Sequence, residues 1–258
     1  MTSCIKTLGG KKHFQTMSID DQSDSEYFSS DPVQYRKRLD AQFYETPCEE
    51  LAMSLLGKVL VRRLDDGTVV RGRIVETESY LGHEDAASIS YKGKVTPRNE
   101  PVFMKPGTAF VYMTYGMYHC FNISSKGDGA SVFLRSIEPL DNLNTMAYLR
   151  KQFKKSTKTV IANKDLCNGP AKLCISFAID IKSCNKQDLT SWDGMWVEED
   201  ENSKLIDTIV CSPRIGIKCE KMWQDKFLRY YIRDNPCVSK IEKTKMNELK
   251  YSQIENIK

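Results

Sequence analysis

The chain has 258 residues, with 38 Lys and Arg against 34 Asp and Glu, a net charge of +4 and 40% hydrophobic side chains. This suits one globular domain with tails. It offers no run of about 18 apolar residues to span a membrane and no apolar secretory signal at its start. Four excess positive charges exclude a strongly basic coat, so any charge-based function depends on where the charges sit.

Residues 1–40 carry six basic and six acidic groups, with five acids and no base between Asp20 and Asp31. This stretch is expected to be a disordered leader. Lys11-Lys12 and Arg36-Lys37-Arg38 are short basic clusters of the kind that targeting signals use. The folded part is expected over 41–239. Its first helix has Thr46 as N-cap, Pro47 at the first helical position, Glu49 closing a capping box and Gly57 as the stop. Leu51, Leu55 and Leu56 give it an apolar face. Lys58 to Leu64 alternates as a strand, Asp66-Gly67 turns it, and Val69 to Tyr80 returns as a second strand. Residues 81–108 lack periodicity and hold Gly, Pro and polar residues, which marks a long functional loop.

Two further strands, Ala109 to Thr114 and Tyr118 to Ser124, join at Tyr115-Gly116-Met117. Gly127-Asp128-Gly129 turns into a strand from Ala130 to Ile137. Asp141 is expected to cap a helix to about Phe153, and Pro170 to start another to about Ile179. The pattern leaves 185–226 undetermined. Phe227 to Arg233 reads as a late strand, and the Lys-rich 240–258 as a frayed helix or a basic tail of net charge +2. Strands joined by hairpins instead of helical crossovers predict a mixed, mostly antiparallel α+β domain.

Nine cysteines, an odd number without CxxC spacing, and only three histidines argue for free thiols in a reducing compartment and against a metal site. His119 and Cys120 are adjacent, so on a strand they point apart and do not make a catalytic pair. No Gly-rich phosphate loop, GxSxG elbow or HExxH is present.

Three features carry chemistry. On a strand, Ile74, Glu76, Glu78 and Tyr80 share one face, with the two carboxylates about 7 Å apart. Such a pair can do acid–base work, but spacing alone favours a solvated sheet face. Tyr112, Tyr115 and Tyr118 lie on and around a tight turn. An aromatic at a hairpin tip is either packed on the core or a wedge for a base stack. Basic residues cluster at 92–105 (Lys92, Lys94, Arg98, Lys105) and at 150–172 (from Arg150 to Lys172). These are a candidate phosphate-contact surface or the solvated faces of helices. Ser and Thr near 156–159 add hydroxyl donors.

Together the motifs resemble the alkyladenine (3-methyladenine) DNA glycosylase family. The similar stretches are Arg71 to Gly82 (RGRIVETESYLG), Thr96 to Asn99 (TPRN), Phe103 to Thr108 (FMKPGT), Tyr115 to Tyr118 (YGMY) and Asn122 to Ser125 (NISS). Gly127 to Gly129 (GDG), Leu134 to Pro139 (LRSIEP) and Leu166 to Leu173 (LCNGPAKL) complete the series. They run collinearly from about residue 43 to 240 and cover neither tail. The resemblance implies a single α+β domain with a mostly antiparallel curved sheet, flanking helices and a protruding β-hairpin.

For function, the resemblance implies flipping of alkylated or deaminated purines out of duplex DNA and hydrolysis of their N-glycosidic bond, leaving an abasic site. Glu78 would activate water and Arg135 would hold that water. Tyr80 and Tyr112 would flank the flipped base, and Asn122 would crowd the amino group of a normal guanine. Tyr115 would fill the vacated position in the duplex, with Met117 beside it in the widened minor groove. The family usually has His where this chain has Ile89, so its main-chain contact to the flipped nucleotide survives and its ring contact does not. That departure points to a shifted substrate range or weaker binding. Thr96, Arg98, Lys105 and Lys172 are the candidate phosphate contacts. No lysine stands out as a Schiff-base nucleophile, so hydrolysis without strand cleavage is expected. The reading needs no metal and no cofactor. It expects a monomer that acts on damaged duplex DNA, away from membranes, in the nucleus or also in mitochondria.

Other readings stay open at this level. A noncatalytic binder of damaged DNA would keep the wedge and the basic surface without needing Glu78. A carbohydrate hydrolase would use Glu76 and Glu78 as its pair, leaving the tyrosines idle. An RNA-directed module would separate ribo from deoxy substrates.

Overall fold

The structure, a computed structural model, describes residues 37–154, 160–200 and 206–252. The expected leader and the Ser/Thr-rich turn at 156–159 lie outside the described residues, apart from the end of the leader at 37–40. The strands are β1 (Val59–Arg63), β2 (Val69–Tyr80), β3 (Ala109–Thr114), β4 (Tyr118–Ser124), β5 (Ser131–Asp141), β6 (Met195–Glu198), β7 (Thr208–Ser212), β8 (Arg229–Ile232) and β9 (Asn247–Lys250). They form one sheet of order β3-β4-β5-β2-β8-β7-β9, with β1 beside β2 and β6 beside β1. All strand pairs are antiparallel, and the order does not close into a barrel. The helices are α1 (Ala41–Tyr44), α2 (Cys48–Ser54), α3 (Leu143–Lys154), α4 (Pro170–Ser176), α5 (Ile181–Cys184) and α6 (Lys221–Asp225). This is the mixed α+β, mostly antiparallel class read from the sequence.

The sheet branches at β2. Along one edge β2 pairs with β5 from Arg71 to Tyr80. Along the other edge its first half pairs with β1 and its second half with β8. Strand β2 therefore lies inside the sheet, and the core cluster gathers around it: Ile74 and Val75 with Leu51 of α2, Leu55 and Leu56 just after it, and Leu134 and Ile137 of β5. Each such aliphatic side chain, once fully buried, contributes roughly 1.5–3 kcal/mol.

The bounds of β2, β3 and β4 coincide with those read from alternation and turn residues. Three local expectations are corrected, and one open stretch is filled. Thr46 does not cap α2: its hydroxyl donates to the Phe43 carbonyl at 2.9 Å, at the end of α1, and Pro47 takes the cap position without a side-chain bond. The expected capping box is therefore absent, whereas Gly57 does leave the helix at φ 83°. Asp141 does not cap α3 but ends β5, 3.4 Å from Arg71, and Asn142 makes the turn at φ 54°. The undetermined stretch 185–226 holds β6, β7 and α6, each of five residues or fewer, too short to show a period. Finally, the stretch read as a tail adds β9 to the sheet edge beside β7, and Tyr251 is buried with its hydroxyl on the Leu56 carbonyl. Three of the four β9 residues are exposed, so its sequence carries no apolar alternation.

Eight cysteines are described; all are free and seven are buried. Among the described residues no helix is long and apolar enough to cross a membrane.

Candidate active site

Glu76 and Glu78 share a face of β2 with Tyr80, but that face is not solvated. Both carboxylates are fully buried, which corrects the reading from spacing alone. The physical reason is cover on both sides. Beneath, Thr77 and Ser79 donate to the Ala52 and Cys48 carbonyls of α2. Above, the segment after β7 brings the Ile215 N–H to Glu78 Oε1 at 2.8 Å. The segment after β8 brings the Ser239 N–H to Glu76 Oε2 at 2.7 Å.

Arg135 links the two acids. Its Nε donates to Glu76 Oε1 at 3.1 Å, and its Nη1 lies 3.2 Å from Glu78 Oε1. Backbone register sets this aim. Glu76 faces Ser136 across the β2–β5 pair and Thr77 faces Leu134, so Arg135 has no partner in β2. An extra residue of this kind bends a strand and redirects its side chain. Glu76 also accepts from Arg229 Nη1 at 2.9 Å, so one buried carboxylate compensates two buried guanidiniums.

Glu78 is held differently. Its Oε1 accepts from the Ile215 N–H and is ion-paired with Arg135, and its Oε2 accepts from the Tyr80 hydroxyl at 3.1 Å. Each carboxylate oxygen has two acceptor positions, and among the described residues only the Tyr80 hydroxyl donates to Oε2, so the other position there suits a water. Burial raises the Glu78 pKa, while the Arg135 charge and the Ile215 N–H oppose that rise. A buried carboxylate held near a cation, with a raised pKa, suits a general base.

The aromatic residues stand around this acid. The Tyr80 ring meets Phe133 edge-on at 6.2 Å, and its other neighbour is the guanidinium of Arg214, 4.6 Å from the ring centroid. Burial and the Glu78 charge push the Tyr80 hydroxyl well above its ordinary pKa, so it stays a neutral donor. Tyr112 packs on Phe110 at 5.2 Å. Asn122 is buried one strand over, paired with Phe133, and its amide donates to the Phe110 carbonyl. Cys120, paired with Tyr112, is buried, and burial pushes its thiol up, away from nucleophilic use.

The hairpin tip exposes three large apolar side chains. Tyr115 is 89% exposed, with Met113 and Met117 beside it at 42% and 52%. Tyr115 and Gly116 both sit at positive φ, 51° and 67°. A bulky side chain there costs roughly 1–2 kcal/mol, and such strain clusters at functional sites. Arg98 braces the hairpin by donating to the Met113 carbonyl and lying over the Tyr112 ring.

Ile89 is carried by the 81–108 loop, which is pinned at several points. Gly82 sits at φ 85°, where a Cβ would come within 2.2 Å of the Asp128 carbonyl, so only glycine lets the loop leave β2 there. Ser90 donates to the Gly129 carbonyl. Asn99 donates to the Ile89 and Lys94 carbonyls and accepts from the Thr96 hydroxyl. Ile89 itself is 40% exposed.

Glu78, Arg135, Tyr80, Tyr112 and Asn122 are thus brought together, and Tyr115 and Met117 stand on the adjoining hairpin. The phosphate candidates are not gathered. Thr96 and Arg98 belong to the 81–108 loop, Arg98 against the hairpin. Lys105 is paired with Asp188 at 2.6 Å. Lys172 donates to Asn168 and lines a basic recess of about 230 Å³ with Arg150, Lys151 and Lys154. Burial and the Arg150 and Lys154 charges lower the Lys172 pKa, against Asp165.

Sequence reading missed Arg229, Arg214, Asp85 and the Ile215 and Ser239 N–H groups. Only Arg229 left a trace, as an arginine inside an otherwise apolar strand. Backbone donors leave none.

A buried acid–arginine pair beside two tyrosines and a hairpin on an antiparallel sheet sets the architecture against which known families compare. Residues 42–236 match the methylpurine-DNA glycosylase (MPG) family, and the chain belongs to it. It is 47% identical over 218 residues to the DNA-3-methyladenine glycosylase of Homo sapiens, covering 84% of this chain and 72% of the relative. The Mus musculus protein of the same name is 48% identical over 219 residues, covering 84% of this chain and 65% of the relative. A putative 3-methyladenine DNA glycosylase of Clostridium tetani is 45% identical over 207 residues, 79% of this chain and 99% of the relative.

Proposed function

We propose that this chain is a DNA-repair glycosylase that binds damaged duplex DNA and excises alkylated purines, using water activated by Glu78. The buried Glu78, held by Arg135 and the Ile215 N–H beside Tyr80, is the observation that supports it most directly. The names of the relatives, DNA-3-methyladenine glycosylases, support the substrate class.

A stacked base cannot be reached, so it is extruded at a cost of a few kcal/mol. Tyr115 offsets that cost by filling the gap. Tyr80 and Tyr112 face the extruded base, and a cationic alkylated purine gains about 0.5–2 kcal/mol from each well-placed ring. Glu78 takes a proton from water as the water oxygen bonds to the sugar carbon. The carbon–nitrogen bond breaks, and the base leaves with the electron pair. The carboxylate charge also favours the oxocarbenium-like transition state. Asn122 excludes normal guanine, while Thr96, Arg98, Lys105 and Lys172 contact phosphates. The enzyme works as a monomer in the nucleus.

The test is excision from duplexes bearing single alkylated or deaminated purines. Release of free base with an intact strand supports the reading. Tight lesion binding with no release on any duplex favours a noncatalytic binder.

Two variants refine it. Tyr115→Ala is expected to lower the flipped population about tenfold or more, read with a fluorescent base at the target position; an unchanged signal argues against the wedge. Ile89→His is expected to change the ranking of lesions or tighten binding. If ranking and affinity both stay put, Ile89 has no role in substrate choice.

A further inference from the structure

Arg214 directly precedes the Glu78 donor Ile215 and makes no hydrogen bond to the acid itself. It is buried, and Asp85, its partner, is fully buried. Arg214 Nη1 donates to Asp85 Oδ2 and, at 2.9 Å, to the Ser79 carbonyl, while Nη2 donates to Asp85 Oδ1 at 2.9 Å. Asp85 in turn accepts from the Leu81 and Ala87 N–H groups. One guanidinium fork thus joins three pieces of chain: the end of β2, the start of the Ile89 loop, and the 213–215 segment. The same guanidinium lies 4.6 Å from the centroid of the Tyr80 ring. It occupies one face, so the ring offers a base only the other.

A two-pronged Arg–carboxylate pair fixes geometry in a way that a lysine cannot. Buried pairs also recover their desolvation only when that geometry is good, which makes them weak as stability devices and useful as registers.

We infer that Arg214 is a positioning residue for base excision, fixing the Ile215 N–H on Glu78 and holding Tyr80 and the Ile89 loop around it. This rests on the excision reading above. A misplacement of about 1 Å near reacting atoms costs about a hundredfold in rate.

The charged and titratable groups facing Glu78 are Glu76 and Tyr80 from β2, Tyr112 from β3, Cys120 from β4, Arg135 from β5 and Arg214 itself. Burial raises Tyr80, Tyr112 and Cys120, so all three stay neutral in acid. The acid limb of the rate profile then reports Glu78, whose pKa burial raises. Loss of the Ile215 N–H removes a group that favours ionised Glu78, and the limb moves to higher pH.

The experiment uses the full chain with Arg214→Lys, which keeps the charge and loses the fork. A double variant, Asp85→Asn with Arg214→Met, removes both charges and serves where the single variant does not fold. Single-turnover excision against pH and lesion-duplex affinity are measured for each. The expected result is a fall in excision of about ten- to a hundredfold, affinity within about threefold and an acid limb at higher pH. A folded variant with the wild-type rate overturns the inference. So does a slower variant with an unmoved acid limb, which marks a merely structural loss. Absence of excision by the wild type overturns the excision reading, and the inference with it.

Discussion

Glu78→Gln is expected to bind lesion-bearing duplex within a few fold of wild type and to lose about 10²- to 10⁴-fold in excision, the usual contribution of a positioned general base. Glutamine keeps the side-chain length and one oxygen for the Ile215 N–H, so the pocket stays formed. On the proposed mechanism, what disappears is the group that accepts a proton from water and the negative charge opposite the developing oxocarbenium. Single-turnover excision separates this step from product release. The pH profile adds a second reading. Only ionised Glu78 accepts a proton, so the wild-type rate falls as pH drops through its pKa. Burial raises that pKa, so the acid limb lies above the ordinary carboxylate range. In Glu78→Gln that limb disappears. A variant that excises within about tenfold of wild type, with the limb intact, removes Glu78 from the mechanism.

Glu76→Ala is expected to destabilise the fold by about 3–5 kcal/mol, the cost of breaking a buried charge pair from one side. Glu76 is the shared acceptor for Arg135, Arg229 and the Ser239 N–H. Without it Arg135 keeps Glu78, while Arg229 keeps the Pro213 and Lys240 carbonyls and its stack on Tyr231. The remaining guanidinium charge of Arg229 then has no carboxylate partner. Urea unfolding reads the loss as a lower midpoint with an unchanged slope. A loss under about 1 kcal/mol shows that the site relaxes and takes up water. The contrast between the two neighbouring acids also bears on the carbohydrate-hydrolase reading, which needs both carboxylates free to act. Glu76 is committed to two arginines and a backbone amide, which leaves it poorly suited to act as an acid or base.

Much of the scaffold was legible residue by residue. Val69 to Tyr80, Ala109 to Thr114 and Tyr118 to Ser124 have the bounds that alternation and turn residues suggest, because a strand period and a turn are properties of adjacent residues. The turn at Tyr115-Gly116 was legible for the same reason, while the structure decided that its tyrosine is exposed and not packed on the core. Capping failed at Thr46 and Asp141, where a preceding helix and a longer strand claimed the side chains first. Strand β9 was hidden because an edge strand facing water on most positions needs no apolar pattern.

By itself the sequence determined the bounds of the central strands β2, β3 and β4, the mixed α+β class, the tyrosine hairpin and, through a chain of long collinear motifs, the family. Tertiary structure alone decided that the Glu76–Glu78 face is dry. Whether a strand face meets water depends on what packs over it, and the covering groups come from 137 and 163 residues away. They act through backbone N–H groups that every residue but proline carries. No pattern of residue types can mark such donors in advance, and only folding brings them, with Arg135, Arg214 and Arg229, around two acids that the sequence showed merely as neighbours on a strand.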